Sequence, residues 1–432
     1  MITPARNDVL LVGVSKTDIT PPQPVALAGF SHRRGVYENV TRQLYARLFL
    51  LEAAGQRTLL VTADLIWWGP DVVNTLRQTI SSEWGIPPER VLLHATHNHS
   101  GPQTAIRFVP ALGVCDEAYI KFLPSRIYDG LRECLKNLEP VEIGVDTGIW
   151  SGGVNRRKIM DNACVMAPNY DGANDQSVTV VCFNTRQHRT KGILVHATCH
   201  PTTTGDNKVS SEFPGYAMEI IEREFSSSTV IAGFLQGFCA DVRPALVRDG
   251  DFYRGDDSDV QRIGIALADK VIEIMKRDMC QVEPSKIEVT RMAVDLPFSQ
   301  LPHRADLEAA VQSNDTKLVE WATVLLDDAT RIQETVPLEL TLVRLADSLH
   351  ILAANAEMVV DYGEFAKSCF DGILLPLGYT NGIVGYVPTA QQLIEGGYEP
   401  AESTYYFGLP APFSQAIETS IHKAILQLRG GV

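Results

Sequence analysis

Five of the ten histidines lie in two short segments, and each segment opens with an apolar run. The segments read Val91-Leu-Leu-His-Ala-Thr-His-Asn-His-Ser-Gly-Pro102 and Ile193-Leu-Val-His-Ala-Thr-Cys-His-Pro-Thr-Thr-Thr204. Each pattern predicts a buried strand that ends in histidines and a proline-marked turn. Because residues two apart in an extended chain point to the same side, His97 and His99 are expected to address one point in space.

Histidines at two strand ends favour a zinc site, because neutral imidazole is the commonest zinc ligand. A catalytic zinc site keeps about three protein ligands and one open position, at which a water molecule can be activated for attack on a carbonyl group. The alternative is that these are hydrogen-bonded core histidines. The spacing leaves both interpretations open and identifies no third ligand.

Composition limits the classes of partner. The chain has 432 residues, 45% of them hydrophobic, and a formal charge of −14, which argues against nucleic acid or an anionic membrane surface as a partner. Residues Met1–Asp8 lack a secretory signal, and no apolar stretch approaches the roughly 20 residues of a membrane span. We therefore expect a cytoplasmic protein that binds a small-molecule substrate, and the sequence leaves a homo-oligomer open. The eight cysteines form no C-x-x-C pair and are expected to be reduced and mostly buried.

Short apolar runs alternate with helical patterns, which indicates an α+β or α/β fold with mixed sheet layers and flanking helices. The predicted strands are Val9–Gly13, Tyr45–Leu51, Thr58–Ala63, Val91–His94, Val178–Cys182, Gly192–His196 and Lys286–Val294. The predicted helices are Pro70–Glu83, Asp116–Leu138, Gly215–Phe225 and Asp259–Arg277.

One domain is expected to span residues 1–432, because no linker, repeat or low-complexity tract marks a boundary. A charged helical stretch from Asp306 to Gln333 predicts a surface insertion at about 300–340. The acidic segment Arg248–Asp259 is the most loop-like part of the chain. A solvated loop near the active site is favoured over a calcium site, because the spacing of its carboxylates matches no EF-hand.

Six segments give the chain a resemblance to the neutral/alkaline (non-lysosomal) ceramidase family, zinc amidases that split the amide bond of N-acyl sphingosine. The segments are Gly13–Pro21, Thr62–Leu65, Ala95–Pro102, His200-Pro201, Ser210–Tyr216 and Tyr379–Thr389. They follow the family's order from the beginning of the chain to about Thr404. The resemblance implies a ceramidase-like catalytic domain that uses zinc to hydrolyse an amide.

Carried over residue by residue, the resemblance implies four zinc ligands, which are His97, His200, Glu357 and Tyr386. His99 matches a histidine that faces the substrate in the family, and we assign it the role of proton donor to the leaving amine. Tyr386 is also a candidate donor to the tetrahedral oxyanion. The family has Phe after the ligand glutamate, where this chain has Met358, and core packing is the alternative role for Tyr386.

Arg243 marks a departure from the family pattern. In the segment Phe234–Pro244 the resemblance places a catalytic serine directly before the proline, and this chain has Arg243 there. A guanidinium cannot act as a nucleophile, but it suits a carboxylate, a phosphate or a developing oxyanion. The alternative is an ion pair with Asp241 or the acidic loop. Asp241 itself keeps the family's aspartate and is expected to orient the loop or a bound ligand.

The expected substrate is a small, polar, anionic acyl amide, with Arg156, Arg243 and Arg254 as anchors. Membrane ceramide is not expected, because the chain ends at Val432 without the family's C-terminal sandwich domain and has no lipid-facing apolar run. Trp67-Trp68 is a candidate for the mouth of the site, with core packing as the alternative. Two other functions stay open: hydrolysis of a lactone, ester or cyclic amide, and zinc-dependent ligand binding without catalysis.

Overall fold

The computed structural model describes residues 9–106, 108–225 and 230–430. Residues 1–8, in which no secretory signal is predicted, lie outside the described residues. No helix within the described ranges combines the length and apolar character needed to cross a membrane.

The described residues form twenty strands. They are β1 (Leu11–Asp18), β2 (Tyr45–Ala53), β3 (Gln56–Ala63), β4 (Val91–Ala95), β5 (Glu139–Ile149), β6 (Gly153–Met160), β7 (Ala163–Asn169), β8 (Ser177–Thr185), β9 (Thr190–Ala197), β10 (Ile231–Gln236), β11 (Val242–Pro244), β12 (Val247–Arg248), β13 (Asp251–Phe252), β14 (Cys280–Val282), β15 (Pro284–Pro297), β16 (Thr335–Ala346), β17 (Leu349–Ala354), β18 (Glu357–Met358), β19 (Ile373–Leu377) and β20 (Tyr386–Val387).

Ten α-helices accompany these strands in the described ranges. They are α1 (Pro70–Trp84), α2 (Glu117–Lys136), α3 (Glu212–Glu224), α4 (Asp257–Met275), α5 (Arg304–Ala310), α6 (Thr316–Asp327), α7 (Val360–Cys369), α8 (Ala390–Glu395), α9 (Ser403–Tyr406) and α10 (Ala416–Gly430).

Two mixed sheets dominate the architecture. The larger has the order β10-β9-β8-β5-β1-β2-β3-β4, with β14 also paired to β5, and the smaller has the order β15-β16-β17-β19. The pairs β9–β10, β3–β4 and β17–β19 are parallel, whereas the other neighbours in these sheets are antiparallel. The predicted mixed α and β fold is confirmed.

The elements pack as four layers, because both faces of each sheet are largely apolar. One face of the larger sheet packs on α1 and α2, and farther along on α3 and α4. Its other face packs on the smaller sheet, where Phe49 and Leu51 share one apolar cluster with Val343 and Ile351. Helices α7 and α10 cover the outer face of the smaller sheet. Burial on both faces explains the continuous apolar runs in β4 and β10.

The larger sheet curls so that its two terminal strands, β4 and β10, meet. The backbone N–H of Gln236 donates to Nε2 of His94 at 2.8 Å, and the Thr62 hydroxyl donates to the carbonyl oxygen of Phe234. Gly233 permits this approach, since a Cβ there would lie 2.8 Å from Thr62 and from Phe49. The curl brings the loops that follow β4 and β9 to the same place.

The predicted elements agree with the structure in type, with small shifts in their bounds. Helix α4 begins at Asp257, two residues before the predicted start at Asp259. Its N-cap is Asp256. The helical part of the expected 300–340 insertion ends earlier, since Thr335 begins β16 of the smaller sheet. The strands β5, β6 and β7 were not predicted, and their exposed apolar residues, such as Ile159 and Met160, obscure the alternation.

The cysteines agree only in part with the expectation of burial. All eight are free thiols. Four are buried and Cys280 is exposed, while the remaining three are partly buried.

A buried ion pair on β2 gives a test of the fold. Arg47 lies 3.2 Å from Asp64 and 3.2 Å from Glu222 of α3. We expect Arg47→Ala to lower the free energy of unfolding by about 3–5 kcal/mol, because it leaves the Asp64 carboxylate buried and unpaired. The control Arg57→Ala, which removes a partly exposed pair with Glu52, should cost less than about 1 kcal/mol. Equal losses in urea denaturation would contradict the role given to burial.

Candidate metal centre

Three histidine side chains meet at one buried point. Nε2 of His97 lies 2.9 Å from Nε2 of His200 and 3.1 Å from Nε2 of His99. All three rings are buried. Among the residues that the structure describes, they form the one group of three or more side chains able to hold a metal ion.

His97 and His99 reach this point from a loop. Strand β4 ends at Ala95, and His97 adopts a left-handed φ of 63°. The two rings do converge as expected, but the reason given from an extended chain is wrong. A non-glycine residue in a sparsely populated backbone region costs about 1–3 kcal/mol, and such residues cluster at functional sites.

Main-chain carbonyl groups fix the orientation of all three rings. In each ring Nδ1 donates a hydrogen bond to a carbonyl oxygen. His97 donates to Ile66 at 2.9 Å, His99 donates to Gly29 at 3.2 Å, and His200 donates to Cys239 at 2.7 Å. Because a carbonyl oxygen only accepts, Nδ1 carries the proton. The other ring nitrogen, Nε2, therefore faces the shared space in each of the three rings.

Burial keeps the rings of His99 and His200 neutral. Burial and the neighbouring His97 lower the pKa of His200 to about 4. Burial, with His97 and His200 beside it, lowers the pKa of His99 well below its usual value. Nε2 of His99 and Nε2 of His200 are therefore hydrogen-bond acceptors, and both face Nε2 of His97 at contact distance. A cation among them satisfies all three.

Glu357 adds a carboxylate to the same space. Its Oε2 lies 3.3 Å from Nε2 of His97 and 3.4 Å from Nε2 of His200. This oxygen is buried and accepts no hydrogen bond from any residue of the described ranges. Burial by itself raises the pKa of Glu357, but the neighbouring His97 and His200 lower this pKa by a larger amount. The net pKa lies below its usual value, so the carboxyl group is ionised at neutral pH. Unprotonated nitrogens and an orphaned carboxylate oxygen fit a divalent metal ion.

Tyr386 stands beside Glu357, because the short strands β18 and β20 pair these two residues directly. The Tyr386 hydroxyl accepts a hydrogen bond from Nη2 of Arg156 at 3.2 Å. Burial raises the pKa of this phenol well above its usual value, so it stays protonated. Arg156 also forms an ion pair with Glu399 at 2.7 Å, and this carboxylate balances the positive charge of the guanidinium. Arg156, predicted as a substrate anchor, therefore orients Tyr386.

A cavity of about 250 Å³ opens onto this cluster. His99 and Tyr386 line the cavity, whereas His97, His200 and Glu357 are not among its lining residues. The three predicted anchor residues also belong to the lining, and they are Arg156, Arg243 and Arg254.

Arg243 and Arg254 bring unpaired positive charge to the cavity. The guanidinium of Arg243 stacks over Phe252 at 4.4 Å, and that of Arg254 stacks over Phe30 at 4.3 Å. Neither forms an ion pair with a carboxylate of the described residues, and Nε of Arg243 has no hydrogen-bond partner there. Burial, with Arg156 and Arg254 nearby, lowers the pKa of Arg243 to about 10, which leaves it charged at neutral pH.

The acidic segment 248–259 borders the site through Arg254, as expected of a loop near the active site. Asp256 caps α4 by accepting a hydrogen bond from the backbone of Ser258. Its carboxylates form no metal-ligand group with other described residues.

Asp241, predicted as catalytic, is not among the residues that line the cavity. Its buried carboxylate accepts hydrogen bonds from the backbone of Val360 and from the side-chain amides of Gln392 and Asn155. Burial raises its pKa to about 7. The alternative in which it pairs with Arg243 does not occur, and Asp241 instead holds the start of α7 in place.

Trp67 and Trp68 do not form the mouth of the site. Both rings are buried in the core, where Trp67 packs 5.3 Å from Phe108 and donates to the Gln103 side chain. Core packing, the alternative considered for this pair, is what the structure shows.

The segment Ala28–Arg33 is part of the site, and the sequence analysis missed it. Gly29 has a φ of 96°, and a Cβ there would lie 2.5 Å from Nδ1 of His99. The Phe30 ring lies 5.1 Å from the His99 ring. The only signal was a glycine before an aromatic residue and several cations, without any periodic pattern. Further lining residues that were missed are Leu112, Met166, Thr202, Tyr398 and Tyr406.

The fold and the site define the class of protein. It is a layered α and β protein in which three histidines from loops and Glu357 of β18 meet at one buried point, a donor set able to hold a divalent metal ion. The site is placed by the curled edge of the larger sheet.

Comparisons with known proteins agree with this class. The family model described as neutral/alkaline non-lysosomal ceramidase, N-terminal, matches residues 10–259. A crystal structure of neutral ceramidase from Pseudomonas aeruginosa superposes with a TM-score of 0.76 at 19% identity, over 98% of this chain and 75% of that one. A ceramidase complexed with C2 gives a TM-score of 0.76 at 17% identity, over 98% and 76% of the two chains. The chain belongs to the neutral/alkaline non-lysosomal ceramidase family, a family of amide-bond hydrolases.

Metal analysis tests the centre directly. We expect the purified protein to hold about one divalent ion per chain, and His97→Ala or Glu357→Ala to lose most of it, since each removes a donor from a buried site. His188→Asn, which changes an exposed histidine in a turn, is the matched control. Elemental analysis that found the same metal content in His97→Ala as in His188→Asn would contradict the assignment.

Proposed function

We propose that the protein is a zinc-dependent hydrolase that cleaves the amide bond of a small acyl compound carrying an anionic group. One observation supports this most: a cluster of three histidines and an ionised glutamate adjoins a cavity that contains two unpaired guanidinium groups. Membership of the ceramidase family supports the amide as the bond that is cleaved.

His97, His200 and Glu357 are the proposed zinc ligands, with Tyr386 beside them. Nitrogen and carboxylate ligands with one open position are typical of catalytic zinc. When bound there, zinc lowers the pKa of a coordinated water from about 15.7 toward 7 and polarises the carbonyl group under attack. Because Arg243 occupies the position of the family's serine, the proposed nucleophile is water.

His99 is the proposed proton carrier, since it is the histidine of the cluster that lines the cavity. Its Nε2 starts unprotonated, so it first accepts a proton from the attacking water and then donates that proton to the leaving amine. The carbonyl oxygen of Gly29 holds Nδ1 and keeps the ring in this tautomer.

Tyr386 is the proposed donor to the developing oxyanion. Its hydroxyl oxygen accepts from Arg156, which leaves the hydroxyl proton free to point into the cavity. Arg243 and Arg254 bind the anionic group of the substrate, because a planar guanidinium matches the two oxygens of a carboxylate.

His99→Ala separates proton transfer from metal binding. We expect this variant to keep about one zinc per chain and to lose about 10²- to 10⁴-fold in kcat, the usual contribution of general acid–base catalysis. His188→Asn should match the unmodified protein in both measurements. Full activity in His99→Ala would refute the catalytic role, and loss of zinc would make His99 a ligand instead.

Arg243→Ala tests the anionic substrate. For N-succinylmethylamine we expect kcat/KM to fall about 10- to 100-fold, as for a lost hydrogen bond to a charged group, and to fall much less for the uncharged N-butyrylmethylamine. Arg248→Ala, in the next strand β12 but outside the cavity lining, is the control. Equal losses on both amides would contradict the anchoring role, and hydrolysis of the matching esters alone would contradict amide specificity.

A further inference from the structure

A second cavity adjoins the first. It has a volume of about 560 Å³, and Phe30, Ser31 and Tyr406 line both cavities. The turn that contains Leu112 joins them further, because its neighbours Ala111 and Gly113 line the second cavity. The two spaces form one cleft with Phe30 at the division.

The first cavity is smaller than the usual ligand site of a protein. Ligand sites of proteins occupy roughly 300–1,000 Å³, and the first cavity has about 250 Å³. An amide carries one substituent on its carbonyl carbon and another on its nitrogen. With one substituent at Arg243 and Arg254, the other needs separate space, and the second cavity offers it.

The floor of the second cavity is apolar. Leu27, Pro110, Ala111 and Val114 contribute aliphatic surface to its lining. The one acidic side chain of the lining, Glu320, accepts a hydrogen bond from the backbone N–H of Ala111 at 3.0 Å and so holds the turn in place.

Arg34 supplies an available positive charge at the rim. Its Nη1 donates only to the carbonyl oxygens of Ser31 and Arg33, and it has no carboxylate partner in the described part of the chain. Lys317 also lines this cavity, but Asp315 at 3.8 Å and Glu402 at 3.9 Å offset its charge.

Phe30 is held firmly between the two spaces. The guanidinium of Arg33 lies 4.8 Å from its ring centre and that of Arg254 lies 4.3 Å away. Arg33 in turn donates to the carbonyl oxygens of Ala28 and His99. A substrate that spans both cavities therefore passes His99 where it crosses Phe30.

We propose that the second cavity binds the half of the substrate opposite the anionic group held by Arg243 and Arg254, and that this half is an aliphatic segment ending in a second anion. The proposal rests on the amide hydrolase function given above. The apolar floor contacts the aliphatic segment, and Arg34 binds the terminal anion.

Three amides with a common succinyl group test the proposal. N-succinyl-6-aminohexanoate has an aliphatic segment and a terminal carboxylate, N-succinylhexylamine lacks the carboxylate, and N-succinylmethylamine lacks both. We expect kcat/KM to decrease in that order. We expect Arg34→Glu to lower the ratio of kcat/KM for N-succinyl-6-aminohexanoate to kcat/KM for N-succinylhexylamine by about tenfold. The change should be in KM, because the substitution reverses the charge that faces the carboxylate.

Two further variants make the experiment specific. Ala111→Phe narrows the apolar floor and should reduce the preference for both long amides over N-succinylmethylamine. Arg223→Glu changes an exposed arginine of α3 that, like Arg34, donates only to a backbone carbonyl, and it should leave all three preferences as they are.

The proposal is overturned if the three amides are hydrolysed equally, or if Arg34→Glu and Arg223→Glu change the preferences alike. If none of them is hydrolysed, the amide hydrolase function fails instead. Calorimetry of the binding of the same three compounds to the unmodified protein and to Arg34→Glu then tests the role of the second cavity independently of hydrolysis. Tighter binding of N-succinyl-6-aminohexanoate that Arg34→Glu abolishes supports it, and equal binding overturns it.

Discussion

The hydrogen bonds from three histidine Nδ1 atoms to main-chain carbonyl groups are the constraint on which the rest of the site depends. They fix the orientation of each ring, so that three Nε2 atoms face one space. The acceptors are Ile66, Gly29 and Cys239, which lie far apart in the sequence. The donor set therefore exists only when three separate segments have folded against one another, and an unfolded chain has no preformed site.

The curl of the larger sheet satisfies this constraint. Strands β4 and β10 are at opposite ends of the strand order, yet the contact between His94 and Gln236 joins them. The loops after β4 and β9 then place His97 and His200 within contact of each other. Their rings are held by backbone carbonyl groups of other segments, which is the arrangement that a preorganised metal site requires.

Much of the fold and part of the site could be predicted from the sequence. Strand and helix types followed from periodicity, and the two histidine segments followed from their places after apolar runs, whereas the choice of His97 and His200 as ligands came from the resemblance. Glu357 and Tyr386 came only from resemblance, because β18 and β20 are two residues long and leave no pattern. The Gly29 and Phe30 contacts depend on a loop that folds back onto His99, and no local signal encodes that. Asp241 lies outside the cavity lining because Val360, Gln392 and Asn155 bind its carboxylate, and these partners are too far apart in the sequence for a local pattern to encode them.

In the proposed site, this donor set holds zinc beside a cationic cavity. Anomalous X-ray scattering at the zinc absorption edge tests it most directly, in crystals of the protein purified without chelator. We predict one strong peak per chain about 2.0–2.2 Å from Nε2 of His97, Nε2 of His200 and a carboxylate oxygen of Glu357. A peak elsewhere, or the absence of a peak at these residues, would contradict the account.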